Sequence, residues 1–423
     1  MSFDLAIGVN GAELNTASQA IYTKLYPKVF TGSQKSSYLG IDYTVGWDVK
    51  VAPTFDLSAP SSDEFLINQL RDRALTDALD TKLQEAPNLS AVASAIPTFT
   101  VHFSEVDISI QGGVTVNLKL DFTANCSVQI TGNILSFDVN SVTVAQQSDP
   151  VQNYLVQHIV APQIQSILQD LFKGITIPPI SVEGIDLSVP SVGIVNNSVI
   201  AAVNLLASGT PPPPDSSTPW PASPFFALLG NNVVQKVMEN ALASATNNFS
   251  NHGSGGDHWA GYHWSYGLSL RSPQTSISGT SIDLKVSLGG EVSGGVEVVY
   301  VPLTLGLKAG TIPSPIEASL GIKISGTSAE IVMQDVHTFT IYVTPNSVPG
   351  WVLGWLVTAI VNGIVLSITP IVTSFLKNIN VQGFDIPTYS ISVSGESLTL
   401  TPGGLQMSNV AGYLAAEGHI TIT

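Results

Sequence analysis

The densest group of chemically capable side chains lies at 252–266, HGSGGDHWAGYHWSY. His252, His258 and His263 with the carboxylate of Asp257 are the donor types that hold zinc. The pattern speaks against a metal. Gly253, Gly255 and Gly256 make the segment a loop, and no helical HExxH pair fixes two imidazoles on one face. The stretch TGSQKSSYLGIDY, which takes the same place early in the chain, has no histidine. The aromatics Trp259, Tyr262, Trp264 and Tyr266 read as cross-strand packing partners, or as platforms for a lipid interface or a sugar ring.

Other chemistry is sparse. No GxSxG elbow, P-loop or dinucleotide GxGxxG follows a strand. Cys126 is the single cysteine, so an intramolecular disulfide and a cysteine-based zinc site are excluded. It sits in an alternating strand and reads as an inert core thiol. His102, His158, His337 and His419 are isolated, and Asp63 and Glu64 suit a helix's first turn. The expectation is a non-enzyme with no catalytic residues, no cofactor and no metal.

Of 423 residues, 44% are hydrophobic and 11% charged, against about 25% charged in an ordinary globular chain. Ser, Thr, Asn, Gln and Gly alternating with Val and Ile take the place of the missing charges, a mixture suited to sheet faces and turns. Fifteen Lys and Arg face 31 Asp and Glu, for a formal charge of −16. That balance repels nucleic acid and allows at most transient contact with an anionic membrane. The start, MSFDLAIGVNGAEL, lacks the basic region of a secretory signal. Synthesis in the cytoplasm is expected, with release by a route needing no signal peptide left open.

The elements that would position a site come in two sets. Pro211 to Pro214 mark an extended linker over 210–222, which divides the chain into units at 1–209 and 223–423. A constant register pairs Gly11 with Gly230, Phe30 with Phe249, Tyr43 with Tyr262 and Trp47 with Tyr266. The unit ends also match: LFKGITIPPISV at 171–182 against FLKNINVQGFDIPTYSISV at 375–393. Chance similarity of apolar stretches is the bland alternative, and the shared order of elements favours duplication.

Each unit opens with a helix: Leu14, Ala17, Ile21 and Leu25 share a face in the first, and Val233, Val237, Ala241 and Ala245 in the second. An amphipathic helix is expected over 62–85, with a capping box at Ser61 and Glu64. A long helix is expected over 149–173, with Asp149 as N-cap and Pro150 at the first turn. Val151, Leu155, Ile159, Ile167, Leu171 and Phe172 form its stripe, and Pro162 must kink or split it. Its counterpart over 348–377 carries Trp351, Leu353, Trp355, Leu356, Ile360, Ile364 and Leu366 with almost no polar side. Roughly 20 such residues would suffice to span a bilayer. Missing basic flanks, Asn362, Gly354, Gly363 and Pro370, and the polar counterpart helix argue for burial against a sheet instead. Between the helices, segments such as 113–121, 126–131, 134–144, 280–288, 296–307 and 318–325 alternate like antiparallel strands with one wet face.

Helix, strand meander, long apolar helix, Ile-Pro turn and closing strands, twice over, resemble the tubular lipid-binding superfamily. The match is to its two-domain members like bactericidal/permeability-increasing protein, and in character most to bacterial toxin-cluster members. The resemblance implies an α+β fold of two tandem units in a boomerang-like arrangement, each a long helix wrapped by a highly curved antiparallel sheet. It also implies elongated apolar tunnels between helix and sheet. This chain lacks the signal peptide and disulfide of secreted vertebrate members, and the basic tip used against endotoxin. The expected partner is a lipid or other apolar ligand, lined by Ile21, Leu25, Leu155, Ile159, Ile167 and Leu171 in the first unit. In the second, the expected lining is Val237, Trp355, Ile360, Ile364 and Ile368. The other reading is a structural or interaction protein of a bacterial toxin or secretion cluster, with filled cavities and a protein partner.

Overall fold

A computed structural model describes residues 3–58 and 97–423, except 113, 132–133, 174, 177–181, 183, 245–247, 258, 299–300, 347–353, 380, 387 and 394–395. The expected helix over 62–85, with its capping box, lies outside the described residues, as do Trp351 and Leu353. The first half contributes β1 (Leu5–Asn10), α1 (Gly11–Leu25), β2 (Thr31–Tyr38), β3 (Ile41–Val49), β4 (Thr54–Asp56), β5 (Thr98–Gly112), β6 (Val114–Thr131) and β7 (Ile134–Val144). There follow α2 (Pro150–Leu155), α3 (Ala161–Lys173), β8 (Ile175–Thr176), β9 (Ser191–Val195) and β10 (Ser198–Val203). The second half contributes β11 (Phe225–Leu229), α4 (Asn231–Ser244), β12 (Asn248–Gly256), β13 (Ala260–Ser278), β14 (Ser281–Val298), β15 (Val301–Ile312), β16 (Ile316–Ser325), β17 (Ser328–Val336) and β18 (Thr340–Pro345). The chain ends with α5 (Gly354–Asn378), β19 (Val381–Asp385), β20 (Tyr389–Val393), β21 (Glu396–Val410) and β22 (Tyr413–Ile422).

The fold is α+β, mostly antiparallel sheet with a few helices, and its sheets curl. One sheet, in the order β2-β3-β5-β6-β7 with β4 on β5, belongs to the first half. A second, β12-β13-β14-β16-β17-β19 with β15 and β18 branching off β14, belongs to the second. β14 pairs with β16 along Ser281–Val286 and with β15 along Ser293–Val298, so the sheet forks and rolls. The segments 113–121 and 126–131, expected as two strands, form the single strand β6. A register shift at Asn125/Cys126 absorbs the break in alternation.

The third sheet, β8-β20-β21-β22-β11-β1-β10-β9, takes strands from both halves. β1 and β11 lie side by side at its middle, Leu5 opposite Leu229. Every residue of β11 and the first four of β1 are buried. These strands accordingly read as continuous apolar runs rather than alternating ones. Two buried carboxylates stitch this region. Asp4 accepts from Leu205 N at 2.8 Å and from Asn232 Nδ2 at 2.8 Å. Glu13, on α1, accepts from Ile420 N of β22 at 2.5 Å. Tyr413 O–H donates to Phe3 O at 2.7 Å, and burial, with the nearby Asp4 charge second, pushes its phenol up to about 12.

The long helices show what the proline and glycine positions do. Asp149 caps α2 as expected, accepting from Gln152 N at 2.9 Å, with Pro150 in the first turn. Ahead of Pro162 the α-helix is interrupted, as three consecutive stretches at Pro150–Leu155, Val156–Val160 and Ala161–Lys173. Val156–Val160 forms a π-turn in which Ala161 N–H reaches Val156 O, and this wider turn leads into the proline. In α5, Leu356, Ile360, Ile364, Ile368, Val372 and Leu376 are each 0% exposed. Four-residue steps at about 100° per residue advance this stripe about 40° each time, so the buried face winds round the helix. The helix touches β12, β13, β17 and β18. Gly363 sits where the indole of Trp264 crosses: a Cβ there would lie 2.5 Å from Nε1.

Two predictions follow from these contacts. Gly363→Ala should destabilise the fold by about 1–3 kcal/mol through overpacking, although alanine is the better helix former. A urea unfolding midpoint equal to the parent's would contradict it. For Tyr413, the unfolded phenol ionises near pH 10 and the folded one near 12. Its contribution is therefore complete below pH 10 and lost as pH rises toward 12. Tyr413→Phe should flatten the fall in stability over that window, measured by urea midpoints at successive pH values.

Candidate functional site

The first half holds a cleft between α1 and α3. Leu14, Ala17, Ser18 and Ile21 of α1 form one wall, and Leu168, Leu171 and Phe172 of α3 the other. Phe30, Pro53, Phe55 and Phe137 form the floor, and Leu400 of β21 closes it from the second half. Its volume is about 80 Å³. Aromatic rings dominate the floor: Phe137 meets Phe172 at 5.4 Å and Phe99 edge-on at 5.8 Å, and Phe55 stacks on Phe99 at 6.0 Å.

Local sequence sets this geometry. Asn10 caps α1 by accepting from Glu13 N at 2.9 Å. The polar residues of the helix then tie it down. Asn15 clamps Phe55 through both its amide groups, at 3.1 and 2.6 Å, and Tyr22 O–H donates to Val49 O at 2.9 Å. Ser18, the one polar lining residue, donates to Pro53 O at 2.5 Å. Its hydroxyl proton is thus spent inside the wall, and the cleft offers hydrocarbon and little else.

Of the expected lining residues, Ile21 and Leu171 face this cleft. Leu25, Leu155, Ile159 and Ile167 are buried in the first half's core without lining it. Val237, Ile360, Ile364 and Ile368 are buried in the core of the second half. Trp355 is 50% exposed. The buried stripe starts one residue later, at Leu356, which turns Trp355 about 100° away from it. The outer side of α5 also shows Leu366, 75% exposed, and Ile371. By length and hydropathy α5 could cross a membrane; here one stripe of it is sunk in a sheet.

Phe55, Phe137 and Leu400 were missed. Phe137 sits in an alternating strand with nothing to mark it as lining. Leu400 lies more than two hundred residues from the cleft's other walls, which no local pattern can reveal. Among the described residues no three His, Cys, Asp or Glu side chains group to hold a metal. His252 and His263 sit on β12 and β13 opposite serines, Ser265 and Ser254. Cys126 is buried with its thiol near Ala124 O at 3.9 Å, and burial raises its pKa far above the usual thiol range.

No family model matches the sequence, and comparison with curated proteins finds no match. Among solved structures the chain is similar to lipopolysaccharide binding protein, at 10% identity and a TM-score of 0.38, covering 100% of this chain and 99% of that one. It is similar to P47 of Clostridium botulinum E1, at 8% identity and TM-score 0.43, covering 99% of both chains. It is also similar to P47 from Clostridium botulinum A2, at 11% identity and TM-score 0.40, covering 99% and 97%.

The buried thiol gives a direct check on the core beside the cleft. Cys126 should be inert to a disulfide-exchange reagent at pH 8 in the folded protein and react with one equivalent after denaturation. Rapid labelling without denaturant would show that this strand opens readily.

Proposed function

We propose that the protein binds lipids or other apolar molecules between helix and curled sheet and does no chemistry on them. The observation that carries this is the cleft of Ile21, Leu171 and their neighbours, a surface depression walled almost wholly by hydrocarbon. Water held there gains little hydrogen bonding, so an alkyl group replaces it favourably. The reading includes two tandem units, 1–209 and 223–423, joined by the proline-rich linker 210–222. Supporting it, each half runs from a short buried strand through a helix and an antiparallel sheet to a long helix. Each also seats a tryptophan over a cross-strand glycine: Trp47 over Gly32, and Trp264 over Gly253.

Magnitudes bound the affinity. A space of about 80 Å³ equals the share of roughly three waters and admits the end of an alkyl chain. At about 0.8 kcal/mol for each buried CH₂, three methylenes contribute roughly 2.4 kcal/mol. A tightly held lipid therefore requires the cleft to widen along α3, and affinity should climb with chain length. The formal charge of −16 disfavours nucleic acid and keeps membrane contact transient. Synthesis in the cytoplasm belongs to the same reading.

The second reading is an interaction protein of a bacterial toxin or secretion cluster whose grooves its own side chains fill. The completely buried stripe of α5 favours it for the second half, and the exposed Trp355 and Leu366 would then meet a protein partner.

Mass spectrometry of an organic extract from the purified protein separates the two. Co-purifying lipid is expected, and Leu171→Trp, which fills the cleft, should lower it by several-fold at unchanged fold. An empty extract, with no uptake of long-chain lipid from vesicles, leaves the interaction reading standing.

A further inference from the structure

Two aromatic hydrogen-bond donors are sealed from water with no acceptor among the described residues: Nε1–H of Trp47 and the phenol of Tyr266. Tyr266 is 3% exposed. Trp47 is half-buried as a side chain, but its Nε1 is sealed. Both stand on the core-facing side of the second strand of a hairpin, Trp47 between the buried Val45 and Val49 on β3, and Tyr266 next to Leu268 on β13. The register that pairs Gly11 with Gly230 pairs these two residues with each other. Matching by the cross-strand glycine instead puts Trp264 opposite Trp47. Trp264 stacks on Tyr266 at 6.0 Å and 2°, so both matches lead to one aromatic wall.

A buried donor without a partner forfeits its hydrogen bond to water and regains nothing, so folded proteins rarely leave one. One such donor in each half points to an acceptor from outside the chain. That acceptor is uncharged. The buried charged side chains described are Asp4 and Glu13, both acids and both engaged in the central sheet. No buried cation accompanies either donor, and a carboxylate or phosphate brought there would keep its full desolvation cost.

Resting on the lipid-binding reading, we infer that each half selects an apolar ligand with a neutral oxygen acceptor, a fatty ester. Trp47 and Tyr266 each donate one hydrogen bond to its carbonyl. Pure hydrocarbon leaves the donors unpaired, and an ionised fatty acid brings an uncompensated charge.

The test is uptake of methyl palmitate, hexadecane and palmitate at pH 8, each measured by mass spectrometry after gel filtration of the full chain. The ester should be held over hexadecane by about five- to tenfold, the range of one net hydrogen bond. Palmitate should bind more weakly than its ester. Tyr266→Phe and Trp47→Phe keep the ring and remove the donor. Each should reduce the ester preference and leave hexadecane uptake unchanged, and the variant in the other half covers the case in which one does not fold. Equal uptake of all three probes, or a preference that survives both substitutions, overturns the donor assignment while lipid binding stands. Uptake of no probe removes the lipid-binding reading and this inference together.

Discussion

The fold depends on burying a helix stripe that does not run straight. Six residues of α5 at four-residue steps, all fully buried, wind through about 200° from Leu356 to Leu376. A flat sheet touches a helix along one line and would leave half of such a stripe in water. The sheet must roll, and its strands show how. β14 forks between β15 and β16, and glycines stand where strand and helix come closest. A Cβ on Gly294 would lie 2.9 Å from Ile360, and one on Gly363 would meet Trp264. The glycines that weakened a reading of this helix as a membrane span are thus contact residues, and helix propensity yields to close approach.

The same requirement explains the central sheet. The sheets of the two halves do not pair with each other, and the third sheet, with β1 beside β11 at its middle, takes strands from both. Apolar burial alone would let these strands slip in register. Asp4 and Glu13 fix it, since each buried carboxylate must find its N–H partners or bear an unpaired charge. Asp4 holds segments from both halves, and Glu13 ties the first helix to the last strand. Because β21 belongs to this sheet, the first half's cleft is closed by Leu400. The cleft is complete only when both halves are present.

Periodicity made the elements legible: α1, α4, the caps at Asp149 and Pro150, and the alternating strands all follow from neighbours within a few residues. The buried side of α5 was legible in part. A helix with no polar side gives no contrast, so Ile360, Ile364 and Ile368 could be placed inside while Trp355, one position off the stripe, could not be placed outside. The π-turn before Pro162 escaped because the sequence shows where a proline disrupts a helix, not which wider turn absorbs it. Ile21 and Leu171 were readable as members of helix stripes. Phe55, Phe137 and Leu400 come from three separated strands, and only the pairing of those strands brings them together.

The cleft's walls differ in how firmly they are held. α1 is fixed by hydrogen bonds that Asn15, Ser18 and Tyr22 make with Phe55, Pro53 and Val49 and by the one Glu13 accepts from Ile420 N. Moving it would break several of these together, each worth about 1 kcal/mol net. The side chains of Phe137 in the floor and of Leu168, Leu171 and Phe172 in the far wall are apolar and held by contact, with Phe137 and Phe172 at 5.4 Å. Turning a ring forfeits dispersion contacts that an entering alkyl chain restores. On the proposed lipid-binding reading, enlargement would proceed by rearrangement of Phe137 and Phe172 against α1, and the guest's own methylenes would replace the contacts the rings give up. A small cleft in the empty protein is in this way compatible with a longer occupant.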